Sequence, residues 1–493
     1  MTSKERTRKK LRVYEEIVDL IVNCHPQLKR KIRAGLRHTV AGPKMALQGQ
    51  SYSVNPKRNH ARLVFTMKSI TLYLLVMLAV LLTGCADHEK KMTFWIGGAP
   101  QEVDYWEALV DEFERTSGIT VDLIRQPSST DQRKQGLVIS LEAEQPDPDV
   151  FLMDIVWLQQ FFQSGWLQPL DPFWGMDGFS IDPFFRDVVD TVDRFAGHYY
   201  ALPVFLDIGL LYYRKDLLKK YGYSGPPRTW PDLLQQASEV QAGERSDNPG
   251  FNGFLWQGAQ YEGLVCTFLE FTASNGGGIM QDGHVRLNRG TNAVALGFMQ
   301  DLIRKYGISP LNTYTDMREE EVRRAFQRGD ALFERNWLYA WNLHQGDGSA
   351  VKGKIGMTAL PHVGEGHPVA ALGGWHIGIS RHSDMPAKAW ELVRFILSHA
   401  SQKKLVLNLG WYPGRSDIYT DPDVVTKMPY AGLLQEIFSR AVTRPNLPYY
   451  DQVSDVIQRT VNGCLAGKQP PAESLRRMQS EIDHIAGIYA NKK

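Results

Sequence analysis

The amino-acid sequence predicts an α/β fold, because short β-rich runs alternate with helical patterns from residue 92 onward. The composition is that of a folded globular protein: 43% of the 493 residues are hydrophobic, 22% are charged, and there are 43 Gly and 26 Pro residues. These values exclude a collagen, a coiled coil, a multi-span membrane protein and a mostly disordered chain. At about 100–200 residues per domain, the length predicts two or three domains.

The first part of this alternation consists of three strands, each followed by a helix. In the first helix, Trp106, Leu109, Val110 and Phe113 recur every three or four residues, and Gly118 marks the end. The predicted strands are residues 92–97, 120–124 and 149–153, and the predicted helices are residues 102–115, 132–144 and 156–163. This order predicts a mostly parallel sheet, since a helix connects successive strands.

The pattern changes near residue 199, where two extended runs, residues 199–205 and 208–213, follow each other. Thr229 then caps a predicted helix that has Pro231 in its first turn. Further helices are predicted at residues 291–306, 317–328, 386–407, 452–466 and 472–490, and further strands at 355–360 and 375–380.

Charge is distributed unevenly along the chain, although the formal total is only +2. Residues 1–66 contain 15 Lys and Arg residues and 4 Asp and Glu residues, whereas residues 85–493 contain 40 and 50. We therefore treat 1–66 as a basic N-terminal extension, separate from an acidic body. The acidic body is not expected to bind nucleic acid.

Residues 67–84 have the pattern of a bacterial lipoprotein signal peptide. Lys68 precedes an uncharged run of thirteen residues, 70–82, which is shorter than the about 20 residues of a membrane span and fits the about 7–15 residues of a secretory signal. The run ends in Leu82-Thr83-Gly84-Cys85, which resembles a lipobox and predicts lipid on Cys85. The alternative is a plain cleaved signal beside an unrelated cysteine.

A signal peptide belongs at the N-terminus, so residues 1–66 indicate an upstream start codon, with Met67 as the true start. The alternative is a basic cytosolic extension followed by a poor anchor.

Signatures of catalysis, of cofactor binding and of metal binding are not found in the sequence. It contains no GxSxG, GxxxxGK[ST] or HExxH motif, and no GxGxxG motif after a strand. No cofactor and no metal site is therefore predicted. Apart from Cys85, the body has two cysteines, Cys266 and Cys464, for which two buried thiols are favoured over a disulfide.

Acidic and aromatic residues instead gather at the ends of predicted strands. Asp154 follows one strand, Asp207 lies in the extended pair, and Gly374-Trp375 begins another strand. In Trp337-Leu338-Tyr339-Ala340-Trp341 the alternation predicts an extended segment with three aromatic rings on one face. Carboxylates accept hydrogen bonds from hydroxyl groups, and aromatic rings cover the apolar faces of pyranoses. Because ligands of open α/β sheets bind beyond strand ends, this set predicts a sugar site.

Seven stretches of the body are specific enough to be compared with known families. They are GGAPQEVDYW from Gly97, DPDVFLMDIVWLQQF from Asp147, ALPVFLDIGLLYYRKDLL from Ala201, WQGAQYEGLVC from Trp256, ALFERNWLYAW from Ala331, LGGWHIGIS from Leu372 and NLGWYPGR from Asn408. Through these stretches, over about residues 92–490, the body resembles family 1 solute-binding proteins of ABC importers, and within them the trehalose/maltose-binding branch.

The resemblance implies a two-lobed periplasmic-binding-protein-like fold (type II), in which each lobe is a β-sheet flanked by helices and a hinge joins the lobes. One crossing segment is expected at residues 203–207. Lobe 1 is expected to comprise residues 85–204 with about 352–408, and lobe 2 residues 205–351 with about 409–493.

By the same resemblance, a disaccharide of the trehalose/maltose type binds in the cleft between the lobes. The implied ligand-binding residues are Glu102, Arg133, Asp154, Phe205, Asp207, Trp337, Tyr339, Gly374, Trp375 and Arg444. Phe205 is a departure, because the family has Tyr there, and the missing hydroxyl leaves the preferred sugar open. The resemblance implies a binding protein and not an enzyme. We expect a monomer that lipid on Cys85 holds in the periplasm or at the cell surface. The membrane permease subunits of an ABC importer are its expected partners.

Two other classes of function stay open from the residues alone. A secreted glycoside hydrolase needs two carboxylates flanking a sugar, and Asp154 and Asp207 are candidates for such a pair. A lipid-anchored adhesion or scaffolding protein needs no sugar site at all. Assays of sugar turnover and of sugar binding separate these classes.

Overall fold

The protein is described by a computed structural model over residues 90–364 and 366–490. The predicted N-terminal extension (1–66), the predicted signal peptide (67–84) and the predicted lipidation site Cys85 lie outside the described residues. Each helix in the described ranges is too short or too polar to span a lipid bilayer.

The strands, numbered in chain order, are β1 (Met92–Ile96), β2 (Val121–Arg125), β3 (Val150–Asp154), β4 (Arg194–Phe195), β5 (His198–Tyr199), β6 (Leu202–Ile208), β7 (Leu210–Arg214), β8 (Asn252–Leu255), β9 (Met280–Gln281), β10 (His284–Val285), β11 (Ala331–Asn336), β12 (Ile355–Thr358), β13 (Leu372–Ile379) and β14 (Tyr412–Pro413).

The α-helices are α1 (Pro100–Ser117), α2 (Thr130–Glu142), α3 (Leu158–Gln163), α4 (Asp171–Asp177), α5 (Arg186–Val188), α6 (Lys215–Lys220), α7 (Trp230–Glu244), α8 (Glu262–Ala273), α9 (Gly290–Arg304), α10 (Glu319–Gln327), α11 (Ala340–His344), α12 (Pro386–Ile396), α13 (His399–Leu409), α14 (Pro422–Lys427), α15 (Ala431–Phe438), α16 (Tyr450–Leu465) and α17 (Pro471–Ala490). Short π- and 3-10 helices span Val189–Asp193, Leu311–Tyr314 and Asp417–Thr420.

Two main sheets form the centres of two lobes, as expected for this α/β fold. The six-stranded sheet of lobe 1 has the order β14-β6-β13-β3-β1-β2, and the four-stranded sheet of lobe 2 has the order β12-β7-β11-β8. The prediction of a mostly parallel sheet is wrong. Only β1–β2 and β1–β3 pair in parallel in lobe 1, because β13, β6 and β14 belong to chain segments that run to or from lobe 2 and pair antiparallel.

The first predicted helix is confirmed and shows how the sequence fixes its ends. Pro100 occupies the first turn, where its missing N–H is not needed, and Gly118 ends the helix in the left-handed conformation at φ 73°. The predicted apolar face is buried against lobe 1, with Trp106 fully covered.

Helix α7 is likewise confirmed, because Thr229 accepts a hydrogen bond from the Asp232 N–H at 3.2 Å and caps it. The single helix predicted at 386–407 is wrong. The chain forms α12 and α13 instead, since Ser398 leaves the helical conformation and caps α13 by accepting the Ser401 N–H.

The chain crosses between the lobes at three neighbouring places. Gly209 separates β6 of lobe 1 from β7 of lobe 2, and Ala371 precedes β13 on the return. The third crossing runs through Val442 toward α16, and it is tied to the second by hydrogen bonds from the Leu372 N–H to the Val442 carbonyl (2.8 Å) and from the Val442 N–H to the Ala370 carbonyl (2.9 Å). These segments are called the hinge below.

The lobe boundaries stay a prediction, but three strands fall on the other side of them. Strand β12 pairs with β7 in lobe 2, although about 352–408 was assigned to lobe 1. Strand β14 and the end of β6 belong to the lobe 1 sheet, although residues from 409 and from 205 were assigned to lobe 2. The reason is that the chain changes lobe at Gly209, Ala371 and Val442, which lie 4, 19 and 33 residues after the boundaries at 205, 352 and 409 inferred from the sequence.

Candidate functional site

A cavity of about 850 Å³ lies between the ends of the two main sheets. Its wall includes all ten residues predicted to bind ligand: Glu102, Arg133, Asp154, Phe205, Asp207, Trp337, Tyr339, Gly374, Trp375 and Arg444. They come from both lobes and from the hinge, so the fold brings together residues that are up to 342 positions apart, from Glu102 to Arg444.

Two of the three tryptophans that line the cavity, Trp337 and Trp375, have a guanidinium against the ring. Arg133 lies 4.0 Å from the ring centroid of Trp375, and Arg335 lies 4.0 Å from that of Trp337. Trp375 also meets the edge of Trp157, with centroids 5.5 Å apart. Trp337 and Trp375 are only half-buried, so these contacts fix the two rings while part of each surface remains free for a ligand.

The hinge side of the cavity is built by close packing around β13. Gly374 has φ 155°, and a Cβ at this position would lie 2.9 Å from the Phe205 carbonyl oxygen. The Phe205 ring packs on Trp411 with centroids 4.0 Å apart. Phe205 therefore presents a packed apolar wall where a tyrosine would add a polar atom.

Two predicted carboxylates have pKa values shifted upward by their position in the cavity. Asp207 Oδ1 accepts the Leu338 and Ile208 N–H groups, each at 2.9 Å, and Glu102 accepts the Ala99 N–H at 2.8 Å. Burial nonetheless raises the pKa of each to about 7. For Glu102 the nearby Glu320 and Asp207 carboxylates raise the pKa further.

Arg444 connects the two lobes at the base of the cavity. Its Nη2 donates to Asp154 Oδ1 at the end of β3, and its Nη1 donates to Glu262 Oε1 at the start of α8, both at 2.8 Å. Arg444 is 3% exposed. The hydroxyls of Tyr450 and Ser454 also donate to Glu262, so that this carboxylate is fully engaged.

Sequence reasoning missed an acidic wall supplied by lobe 2. Glu319 and Glu320 begin α10 and line the cavity beside Tyr261 and Glu262. Tyr339 donates its hydroxyl to Glu320 Oε1 at 2.9 Å, and burial raises the pKa of Glu319. Acidic residues in the first turn of a helix usually stabilise the helix dipole. The sequence alone therefore offers no reason to assign Glu319 and Glu320 to a binding site. The WQGAQYEGLVC stretch already contained Tyr261 and Glu262.

The extended segment predicted for residues 337–341 is wrong. Trp337 to Tyr339 form a turn after β11, and α11 begins at Ala340, so the three rings do not share one face. Trp337 and Tyr339 line the cavity, whereas Trp341 packs against Tyr430 with centroids 5.5 Å apart. The alternation was misleading because α11 begins at Ala340, and residues two apart do not share a face once the chain turns into a helix.

Within residues 90–364 and 366–490, no group of three or more His, Cys, Asp or Glu side chains is placed to hold a metal ion. Cys266 and Cys464 are both free and buried, which confirms the preference for two thiols over a disulfide.

Comparison with known proteins gives a consistent family. The model of the bacterial extracellular solute-binding protein family matches residues 99–403. A probable ABC transporter-binding protein of Deinococcus radiodurans is 36% identical over 81% of this chain and 94% of its own length. The solved structure of maltose-bound T. maritima MalE3 is also 36% identical, covers 80% of this chain and 99% of its own, and has a TM-score of 0.76.

A maltotriose-binding protein of Pyrococcus abyssi is 23% identical over 80% of this chain and 82% of its own length. The family model spans well over half of the chain, and the cavity lies between two lobes as in such proteins. The chain therefore belongs to the bacterial extracellular solute-binding protein family, whose members bind solutes for ABC transporters and are not enzymes.

Proposed function

We propose that this protein captures a neutral disaccharide of the trehalose/maltose type between its lobes and delivers it to the permease subunits of an ABC importer. The observation that carries the proposal is the joint placement of carboxylates and indoles from both lobes around one cavity. The volume of about 850 Å³ lies within the about 300–1,000 Å³ of ordinary small-molecule sites.

The chemistry of the wall suits a ligand that is rich in hydroxyl groups. Glu102, Asp207 and Glu319 offer carboxylate oxygens, which accept hydrogen bonds from neutral N–H and O–H groups. Hydroxyls donate charge-assisted hydrogen bonds to such oxygens, and a half-buried indole covers a pyranose face. An anionic solute would meet like charge on several sides.

Relatives support a sugar of this size. The T. maritima protein, 36% identical, has maltose bound, and the more distant P. abyssi protein is named for maltotriose. Transferred to this chain, these ligands suggest an α-linked glucose di- or trisaccharide as the first compounds to test.

Binding is proposed to close the two lobes around the sugar. A ligand that contacts Trp375 and Asp154 of lobe 1 together with Trp337 and Glu319 of lobe 2 makes its full set of contacts only when both walls are near. Such a ligand favours the closed form by its difference in affinity for the two forms. The closed form is then the one presented to the importer.

The glycoside hydrolase alternative is not favoured. It requires a free pair of carboxylates at the scissile bond, whereas Asp154 is ion-paired with Arg444 and Asp207 Oδ1 accepts two backbone N–H groups. The family in which this chain falls consists of binding proteins.

The experiment that tests the proposal is a thermal-shift panel of mono-, di- and trisaccharides together with anionic sugars. A ligand that binds only the folded state raises the melting temperature. We expect maltose, trehalose or maltotriose to do so, with the sugar recovered intact. Release of glucose would overturn the binding role, and the absence of any shift across the panel would support the scaffolding alternative.

We also propose that residues 67–84 are removed as a signal peptide and that lipid on Cys85 anchors a monomer in the periplasm or at the cell surface. The support is the uncharged run and the lipobox-like tetrapeptide at residues 82–85. In the native host, Cys85→Ser is expected to abolish incorporation of labelled palmitate, with Cys266→Ser as the matched control. Labelling that persists in Cys85→Ser would place the anchor elsewhere.

A further inference from the structure

A buried ion pair lies directly behind the cavity, in lobe 2. Arg335 on β11 binds Glu270 on α8 through two parallel hydrogen bonds, Nη2 to Oε1 at 2.5 Å and Nε to Oε2 at 2.8 Å. Each side chain is 1% exposed. A buried ion pair gains little stability over apolar residues of the same volume, because both charges are desolvated. Its presence here calls for an explanation other than stability.

The cavity side of the pair carries one of the two half-buried indoles. The Arg335 guanidinium lies 4.0 Å from the ring centroid of Trp337. Trp337 lines the cavity, whereas Arg335 and Glu270 are not part of the cavity wall. The fork of two hydrogen bonds to Glu270 fixes the plane of the guanidinium. The plane of the guanidinium in turn restricts the orientation of the ring that lies on it.

The other side of the pair contacts two of the three hinge crossings. Glu270 Oε1 accepts the Ala371 N–H at 3.1 Å. At Gly209, an added Cβ would lie 1.9 Å from Glu270 Oε1 and 2.6 Å from Arg335 Nη2, so the hinge backbone passes against the pair with no room for a side chain. The buried Glu270–Arg335 pair thus contacts the hinge on one side and Trp337 of the binding site on the other.

We infer that Glu270 and Arg335 form a positioning pair that sets the orientation of Trp337 for the ligand and links that orientation to the hinge. The inference rests on the proposed sugar-binding function of the cavity and adds two residues that do not touch the ligand. A change in the hinge at Ala371 or Gly209 moves the Glu270 carboxylate, and the bidentate contact passes this movement to Arg335 and the indole.

The first test compares Glu270→Gln with a control in a more exposed bidentate pair, Asp417→Asn. Arg415 makes the same bidentate contact with Asp417 and lies 5.4 Å from the Phe184 ring centroid, but this pair does not line the cavity or touch the hinge. Calorimetric titration with maltose is expected to show a Kd raised about tenfold in Glu270→Gln, equivalent to about 1.4 kcal/mol, and little change in Asp417→Asn. An unchanged Kd in folded Glu270→Gln would overturn the inference.

A second readout needs no ligand. Amide hydrogen exchange at Ala371 is expected to accelerate in Glu270→Gln relative to Leu372, whose N–H is bound by Val442. The near-ultraviolet circular dichroism assigned to Trp337, obtained by subtracting Trp337→Phe, is expected to weaken. If wild type fails to bind maltose, the proposed ligand is wrong, while these two signals still decide the inference. Unchanged exchange and an unchanged Trp337 signal would contradict it.

Arg335→Lys is the alternative test of the positioning pair if Glu270→Gln does not fold. Lysine keeps the charge but loses the planar fork and the stacking surface. We expect the same loss of the Trp337 signal and the same rise in Kd for maltose. A lysine variant with wild-type signal and wild-type affinity would show that charge alone is required, and would refute the positioning role of the guanidinium.

Discussion

At the residue scale, the cavity depends on side chains that are held before any ligand arrives. Arg133 contacts the Trp375 ring and also donates to the Gly97 carbonyl oxygen at 3.0 Å, so the guanidinium is anchored to lobe 1. A ring fixed in this way loses little side-chain entropy when a sugar packs on it, and this preorganisation contributes to affinity.

Trp375→Ala is therefore expected to weaken sugar binding by about tenfold or more, which corresponds to about 1.4 kcal/mol. The ring is half-buried, so the variant should remain folded. Calorimetry with maltose measures the effect, and Trp375→Phe, which keeps an aromatic surface, is expected to lose less. A wild-type Kd combined with a lower melting temperature would identify a core tryptophan instead.

The affinity is also expected to depend on pH through Glu102 and Asp207, because burial raises the pKa of each to about 7 in the free protein. Sugar hydroxyls hydrogen-bond preferentially to the ionised carboxylates, so binding lowers these pKa values and is linked to proton release. The affinity then falls as the pH drops through 7. For each unit by which sugar binding lowers a carboxylate pKa, the affinity well above that pKa is about tenfold higher than the affinity well below it.

Titrations across this pH range measure that dependence, and Glu102→Gln, which cannot ionise, is expected to reduce its slope. Affinity that is constant with pH, or that rises on acidification, would contradict the assignment of these carboxylates as acceptors for the ligand.

Residue types predicted much of the site, and packing determined the rest. Carboxylates and aromatic residues near strand ends pointed to six of the ten positions: Asp154, Asp207, Trp337, Tyr339, Gly374 and Trp375. The other four, Glu102, Arg133, Phe205 and Arg444, came only from the resemblance to a family. Glu319 and Glu320 were missed, since only the three-dimensional placement of α10 beside β11 brings them to the cavity. No local pattern distinguishes such residues from ordinary charges in a first helical turn.

At the element scale, β13 is the strand on which the site depends most. It begins directly after the hinge residue Ala371, pairs with both β3 and β6, and carries Gly374 and Trp375 into the cavity wall. The register shifts between Trp375 and His376. An irregularity of this kind redirects a side chain next to a functional site.

Gly374→Ala is expected to destabilise the protein by about 1–3 kcal/mol, because the residue has φ 155° and the new Cβ would lie 2.9 Å from the Phe205 carbonyl oxygen. The strand must shift to relieve this contact, so sugar affinity should fall together with the free energy of unfolding. Denaturant unfolding and calorimetry measure the two quantities. Gly432→Ala is the control, since a Cβ there meets nothing within 4 Å. Equal effects of both substitutions would contradict the account.

Elements with strong local signals were predicted better than their boundaries. Helix α1 follows from its apolar spacing, Pro100 and Gly118, whereas the break between α12 and α13 depends on Ser398, whose capping role a continuous helical pattern conceals. The antiparallel members of the lobe 1 sheet were missed for a different reason. Their pairing is decided by the path of the chain through the hinge, which lies beyond the range of any local pattern.

At the scale of the whole molecule, Arg444 links the two lobes by ion pairs. It holds Asp154 of lobe 1 and Glu262 of lobe 2 at the same time, at 2.8 Å each. A second contact across the lobes joins Lys134 of α2 to Asp451 of α16. These contacts stabilise the arrangement in which the two walls of the cavity face each other.

Arg444→Lys is expected to shift the ligand-free protein toward a more open form, because an ammonium group lacks the planar fork that spans two carboxylates. Small-angle X-ray scattering should show a larger radius of gyration than for wild type, and the Kd for maltose should rise about tenfold. Arg214→Lys is a control, since the guanidinium of Arg214 binds Asp216 within lobe 2 and does not line the cavity. A wild-type radius and a wild-type Kd would show that Arg444 does not hold the lobes together.

A neutral sugar is proposed to bind between the two walls and to be released unaltered. Calorimetric titration of wild type and of the double variant Trp375→Ala/Asp207→Asn with maltose and maltotriose is the decisive test. We predict one site per chain in wild type, a Kd near 1 μM (about −8 kcal/mol), and recovery of intact sugar, with binding lost in the double variant. Equal binding by both proteins, or hydrolysis of the sugar, would contradict the account.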